Sequence, residues 1–116
     1  MQGKNIQKRT YDFAVAIVRF GKTLDKNPSS QVLSKQIIRS GTSVGANVME
    51  AQAGSSRKDF VNYIYYALKS ANETVFWLEL IKDTENINIS EIESLHRECV
   101  ELTKILGSSL VTLKKN

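Results

Sequence analysis

Apolar residues recur along this chain in steps of three and four, and nowhere do they alternate with period two over the length of a strand. Phe13, Ala14, Ile17, Phe20, Gly21 and Leu24 mark one face of a first helix, expected over about residues 6–25. Asn27-Pro28 punctuates: Asn27 suits an N-cap and Pro28 the first helical position. A second helix then covers about 28–53 with Leu33, Ile37, Ser40, Val44, Val48 and Ala51 as its core stripe. Gly54-Ser55-Ser56 ends it, Gly54 being the expected left-handed terminator. Ser56 and Asp59 stand three apart, like a capping box with Asp in place of Glu. The third helix, about 57–84, carries Phe60, Ile64, Ala67, Leu68, Ala71, Val75, Leu78 and Ile81. After a loop over 85–89, Ser90 and Glu93 form the expected capping box of a fourth helix, about 90–114. Its stripe is Ile92, Leu95, Cys99, Leu102, Leu106, Leu110 and Leu113. Four helices with short connections predict an all-α, up-down-up-down bundle, one domain over 1–116.

The second helix raises a question in the stretch RSGTSVGANVMEAQ, residues 39–52. Gly41 and Gly45 each cost about 0.5–1 kcal/mol against alanine inside a helix. On a helical wheel they share a flank of the core stripe with Ser34, and small residues there let another helix come close. Arg39, Ser43, Asn47 and Glu50 lie round the opposite flank. Covered by a neighbour, these groups must bond one another or its backbone, forming a structural polar cluster. A polar ligand site is the functional alternative.

The third helix has more apolar surface than a lone bundle covers. A second stripe, Tyr63, Tyr66, Ser70, Glu73 and Trp77, runs beside the first, and 75–81 is apolar nearly all round. Such a surplus marks a partner surface, so Tyr63, Tyr66 and Trp77, with Gly41 and Gly45, are the expected oligomer interface. The competing explanation is that the fourth helix covers this side unaided. Base stacking on Tyr63 and Tyr66 is a weaker candidate, because Lys69 is the one cation interleaved with that stripe.

Composition is that of a globular domain: 41% hydrophobic and 24% charged in 116 residues. The longest apolar run, residues 13–18, is far short of a membrane span, and the first ten residues lack the apolar core of a signal peptide. No membrane association is expected, and the single Cys99 fits a reducing cytoplasm. The net charge of +4 is unevenly spread: residues 1–58 carry +7 and residues 59–116 carry −3. An anionic partner for the first half, or an ordinary solvated surface, explains this equally well. Lys8, Arg9, Arg19, Lys22 and Lys26 share one side of the first helix, and Arg57 and Lys58 extend the set. These seven are the candidate nucleic-acid contacts. Arg57 and Lys58 sit at a positive helix end, where isolated cations are mildly unfavourable and a local partner or a ligand helps explain them.

Catalytic candidates are thin. Glu93 and His96 form a Glu-x-x-His pair, but a di-iron bundle needs two such pairs and the chain has one histidine. Cys99 falls on the apolar stripe of its helix and reads as a small buried hydrophobe rather than a nucleophile paired with His96. No glycine-rich phosphate loop is present. No enzyme activity, metal or cofactor is expected.

The segment VLSKQIIRSGTSVGANVMEAQAGSSRKDFVNYIYYALKSANETVFWLELI, with its RSGTSVGAN core and FWLEL ending, resembles a bacterial four-helix-bundle family. That family is named for proteins encoded in intervening sequences of large-subunit ribosomal RNA genes. It includes the accessory protein of diversity-generating retroelements. The similarity spans about Tyr11 to Leu113. The resemblance implies a ring-like homopentamer and, for the retroelement branch, binding to nucleic acid and to a reverse transcriptase. It carries over no catalytic residues. The expected function is therefore a non-enzymatic, oligomeric bundle that binds RNA, DNA or a nucleoprotein through its basic surface. The alternative is a protein–protein interaction module with no nucleic-acid partner.

Overall fold

The computed structural model describes residues 3–115, with side chains from Asn5 onward. Four helices follow in order: α1 (Gly3–Lys22), α2 (Pro28–Ala53), α3 (Arg57–Thr84) and α4 (Ile89–Lys115). Among the described residues there is no strand. Contacts across the seams set every consecutive pair antiparallel. Ser34 near the start of α2 donates to Gly21 O near the end of α1 at 2.8 Å, while Gly45 lies against Thr10. Ser30 meets Glu85 and Ser40 meets Thr74 across α2–α3. Cys99 meets Ala71 and Arg57 reaches Leu113 O across α3–α4. The result is an elongated body, 47 × 22 × 19 Å.

Local chemistry explains where each helix begins and ends. Asn27 is extended and its side chain accepts from Ser30 N at 2.9 Å, with Pro28 at the first helical position. Ser56 likewise accepts from Asp59 N at 3.1 Å. Asp59 does not complete a reciprocal box; its carboxylate takes the hydroxyl of Ser55 instead.

α1 starts at Gly3 rather than near residue 6, and two further boundaries and one cap depart from the sequence expectation. α1 stops at Lys22 rather than near residue 25, because the backbone tightens into bonds from Thr23 N to Phe20 O and Leu24 N to Gly21 O. The Thr23 hydroxyl adds a 2.6 Å bond to Phe20 O, so that carbonyl has no need of a further turn. Leu24 stays buried without being helical. At the other end, Asn88 rather than Ser90 caps α4: its side chain accepts from Glu91 N at 3.0 Å and its carbonyl from Ile92 N. Ser90 is already inside the helix. Gly54 is extended, at φ −62° and ψ 142°, not left-handed. A Cβ there would sit 3.2 Å from Ala51 O and 3.3 Å from Asp59 Cβ, so crowding at the tight α2–α3 turn favours glycine.

The core follows the predicted stripes closely. Phe13, Ile17, Phe20, Ile37, Val44, Val48, Ile64, Leu78, Ile81, Ile92, Cys99, Leu102 and Leu106 are all buried. Each large aliphatic or aromatic side chain contributes about 1.5–3 kcal/mol by leaving water. Six hydroxyl residues, Thr10, Ser30, Ser34, Ser40, Thr74 and Ser109, are buried among them. Their hydroxyls are satisfied. Thr10 donates to Ile6 O and Ser109 to Ile105 O on their own helices, while Ser34 and the Thr74–Ser40 pair bridge two helices. Short side chains at these points bring α1, α2 and α3 close together.

Candidate functional site

The two glycines of α2 face α1 within the same subunit. A Cβ on Gly41 would lie 2.7 Å from Ile17 Cγ2, and one on Gly45 would lie 3.1 Å from Thr10 O. Gly21 makes the reciprocal approach from α1, where an added Cβ would meet Ile38 at 2.7 Å. The small-residue flank therefore serves the α1–α2 contact. Gly41 is fully covered by it, and Gly45 borders a shallow apolar cleft with Ala14, Ala46, Tyr11 and Met49.

The expected polar cluster of α2 divides. Arg39 reaches across to Glu73 of α3 and also donates to Gln36 at 2.8 Å. Glu73 in turn accepts from Trp77 Nε1 at 2.8 Å. The Arg39 hydrogen bond, aided by the one from Trp77, holds the Glu73 carboxyl below its ordinary value. Ser43 donates to Arg39 O and Asn47 to Ser43 O, both on their own helix. Glu50 is exposed. An Arg39–Glu73–Trp77 chain across the α2–α3 seam thus stands where a self-contained α2 cluster was expected.

The seven candidate cations separate as well. Lys8 pairs with Asp12 at 2.7 Å. Arg9 makes a two-pronged ion pair with Glu98 of α4, at 2.7 and 3.0 Å, and that hydrogen bonding raises the guanidinium pKa further. Arg57 donates to Leu113 O at 2.6 Å, which answers the need for a local partner at the start of α3 and ties it to the end of α4. Lys58 beside it is exposed. The antiparallel order puts Arg57 and Lys58 at the opposite end of the bundle from Lys22 and Lys26, so the seven do not form one continuous patch.

What remains is a cluster on the α1–α2 hairpin. Arg19, Lys22 and Lys26 are exposed, and none makes an ion pair among the described residues. Lys35, which sequence reasoning passed over, joins them: the Ser34–Gly21 bond sets it level with Lys22, and it too is exposed. Residues 13–49 contain a single carboxylate, Asp25, against five cations, of which Arg39 is neutralised by Glu73. Lys35 was legible in principle, since it lies on the polar face of α2 seven residues from the turn.

The aromatic side chains of α3 are shared between the seam and solvent. Tyr63 and Trp77 are half-buried against the core. Tyr66 is 46% exposed, as are Tyr65 at 47% and Phe76 at 56%, the last two lying outside the predicted stripe. α4 does not cover this side. The remaining chemical candidates are engaged in structure. His96 meets Glu79 of α3 at 2.9 Å, and Glu93 pairs with Lys82 at 3.6 Å. Cys99 is fully buried with its thiol directed at Ala71 O, and burial, then the charge of Glu98, pushes its pKa up to about 12. Among the described residues, no three His, Cys, Asp or Glu side chains gather as a metal site requires, and no helix is long and apolar enough to cross a membrane.

An antiparallel four-helix protein with a cationic hairpin and an aromatic outer helix is the class this geometry defines. The chain belongs to the 23S rRNA-intervening sequence protein family, whose profile matches residues 3–108. Among solved structures it is similar to a protein of unknown function from the S23 ribosomal protein family of Bacteroides thetaiotaomicron VPI-5482. The two are 44% identical over 95% of this chain and 98% of that one, with a TM-score of 0.87. Nothing among curated proteins matches the chain.

Proposed function

We propose that this chain is a non-enzymatic, self-associating bundle that binds nucleic acid through the cationic α1–α2 hairpin. The observation that carries the reading is the cluster of Arg19, Lys22, Lys26 and Lys35, exposed and without ion pairs among the described residues. The family resemblance, which for its retroelement branch implies binding to nucleic acid, supports a nucleic-acid partner over a purely polypeptide one. Four cations make a modest site in one subunit. Copied around the homopentamer that the family resemblance implies, they become a broad positive surface with sequence-independent phosphate contacts. The apolar end of α3, Phe76 and Leu80 beside Trp77, is the surface proposed to join the copies.

The test is binding of duplex DNA, single-stranded DNA and structured RNA at two salt concentrations. Affinity falls steeply with salt, and Arg19→Glu with Lys22→Glu abolishes most of it without unfolding the protein. Absence of binding at low salt refutes the reading. One feature favours the alternative of a protein-docking module: exposed Tyr11 and Met49 flank the cleft floored by Ala14, Gly45 and Ala46. A polypeptide partner, such as the reverse transcriptase implied for the retroelement branch, would then bind independently of the hairpin charges.

A further inference from the structure

The outer face of α3 presents a second, chemically different surface. Tyr65 and Tyr66 stand half out of the protein with their rings 6.4 Å apart and tilted by 47°. Lys69 lies one turn on, its Nζ 5.6 Å from the centre of the Tyr65 ring. At 100° per residue, Lys58, Asn62 and Asn72 fall on the same face, and all three are exposed. Between residues 60 and 78 the helix has one carboxylate, Glu73, and that is held by Arg39 and Trp77. The face therefore combines two half-exposed aromatic rings, two cations and two side-chain amides, with Asp59, hydrogen-bonded to Ser55, as the acid beside Lys58.

We infer that this half of α3 is a stacking platform for single-stranded nucleic acid, with bases on Tyr65 and Tyr66 and phosphates at Lys58 and Lys69. The inference rests on the nucleic-acid reading above and narrows it to unpaired strands. Protein contacts disfavour lysine at their centre, whereas strand-binding surfaces interleave cations with aromatic rings, because every base has a face to stack. Tyr65 and Tyr66 do not stack on each other; Lys69 takes one side of the Tyr65 ring and Tyr63 meets Tyr66 edge-on at 5.9 Å, so each ring offers its remaining side to one base. Duplex DNA, whose bases are already stacked, has nothing to offer them. Glu50 of α2 lies level with this region, by the register that Arg39–Glu73 and Ser40–Thr74 set, and is the neighbouring charge that opposes a phosphate strand.

The experiment titrates the full chain with three fluorescein-labelled probes at low salt: oligothymidylate, an oligomer of equal length with abasic spacers in place of the bases, and a blunt duplex. Oligothymidylate binds more tightly than the abasic strand. Tyr65→Ala and Tyr66→Ala each weaken it about tenfold, leave abasic and duplex binding unchanged, and Tyr66→Phe restores the affinity. Glu50→Gln tightens both single strands. Circular dichroism confirms that these half-exposed substitutions leave the fold intact. Equal affinity for the base-bearing and abasic strands overturns the inference while the hairpin reading stands. Loss of self-association in the tyrosine variants with binding unchanged also overturns it, and makes the face a protein contact. If no probe binds, both readings fall.

Discussion

Two glycine-to-alanine substitutions, Gly41→Ala and Gly107→Ala, change stability in opposite directions. Both residues are inside helices at negative φ, so each alanine gains about 0.5–1 kcal/mol in backbone preference. The surroundings differ. At Gly107 an added methyl meets nothing within 4 Å. At Gly41 it meets Ile17 Cγ2 at 2.7 Å, Cγ1 at 3.1 Å and Cβ at 3.2 Å. Those atoms are the branched root of a fully buried side chain, so relief requires α1 itself to move. Overpacking of that kind costs about 1–3 kcal/mol. Net of the backbone gain, Gly41→Ala destabilises by about 1–2 kcal/mol. For a chain of this length a change of 1 kcal/mol moves the melting temperature by roughly 4 °C. Thermal and urea unfolding followed by helix ellipticity should therefore show Gly107→Ala melting up to about 4 °C higher and Gly41→Ala about 4–8 °C lower. Running both at two protein concentrations separates folding from linked association. If Gly41→Ala melts at or above the parent, α1 and α2 do not meet at that point and the account of the small-residue flank is wrong.

Other outcomes follow from the same contacts. Cys99 should resist thiol reagents in the folded protein at neutral pH, since it is buried with its pKa at about 12, and react once urea opens the bundle; rapid native labelling would contradict that placement. The folded pKa of Glu73 lies below its ordinary value of 4.5, so its contribution to stability is present above that value and is lost as pH falls through the lower, folded one. Glu73→Gln should flatten this acid limb in a melting series against pH. Arg9→Met should detach α1 from Glu98, read as faster amide exchange in the first turns of α1, with little change in the α2–α3 seam. Replacing Lys35 with Glu should weaken nucleic-acid binding as much as replacing Lys22, whereas Lys8→Glu, already paired with Asp12, should do much less.

The sequence made the helical faces legible because buried positions repeat with the helix period, and it made the Asn27-Pro28 and Ser56 caps legible because capping chemistry is local. Errors arose where two local signals competed. Ser90 with Glu93 forms a better-looking box than Asn88, yet the asparagine captures Glu91 N first. Leu24 keeps the apolar period of α1 after Thr23 has already turned the chain. Buried Thr10 and Thr74 escaped notice because a hydroxyl that bonds back to its own helix costs little to bury, and a hydropathy pattern counts it as polar. Cross-helix partners were beyond reach altogether. Nothing on α2 announces that Arg39 belongs with Glu73, and nothing on α1 announces that Arg9 belongs with Glu98. For the same reason the expected cationic patch lost Arg9 and Arg57 to partners on α4, and Tyr65 and Phe76 became the exposed rings: a wheel ranks the sides of a helix, but the neighbours decide which side is shaded.

The seam between α1 and α4 is the slightest in the bundle, while α1–α2, α2–α3 and α3–α4 are extensive. Nearly every stabilising contact thus joins segments adjacent in the chain, which favours fast folding. α4 is laid against α3 as a closing stave, with little of its length meeting α1. The Arg9–Glu98 clasp is the final rivet, and the first joint to give when the barrel is strained.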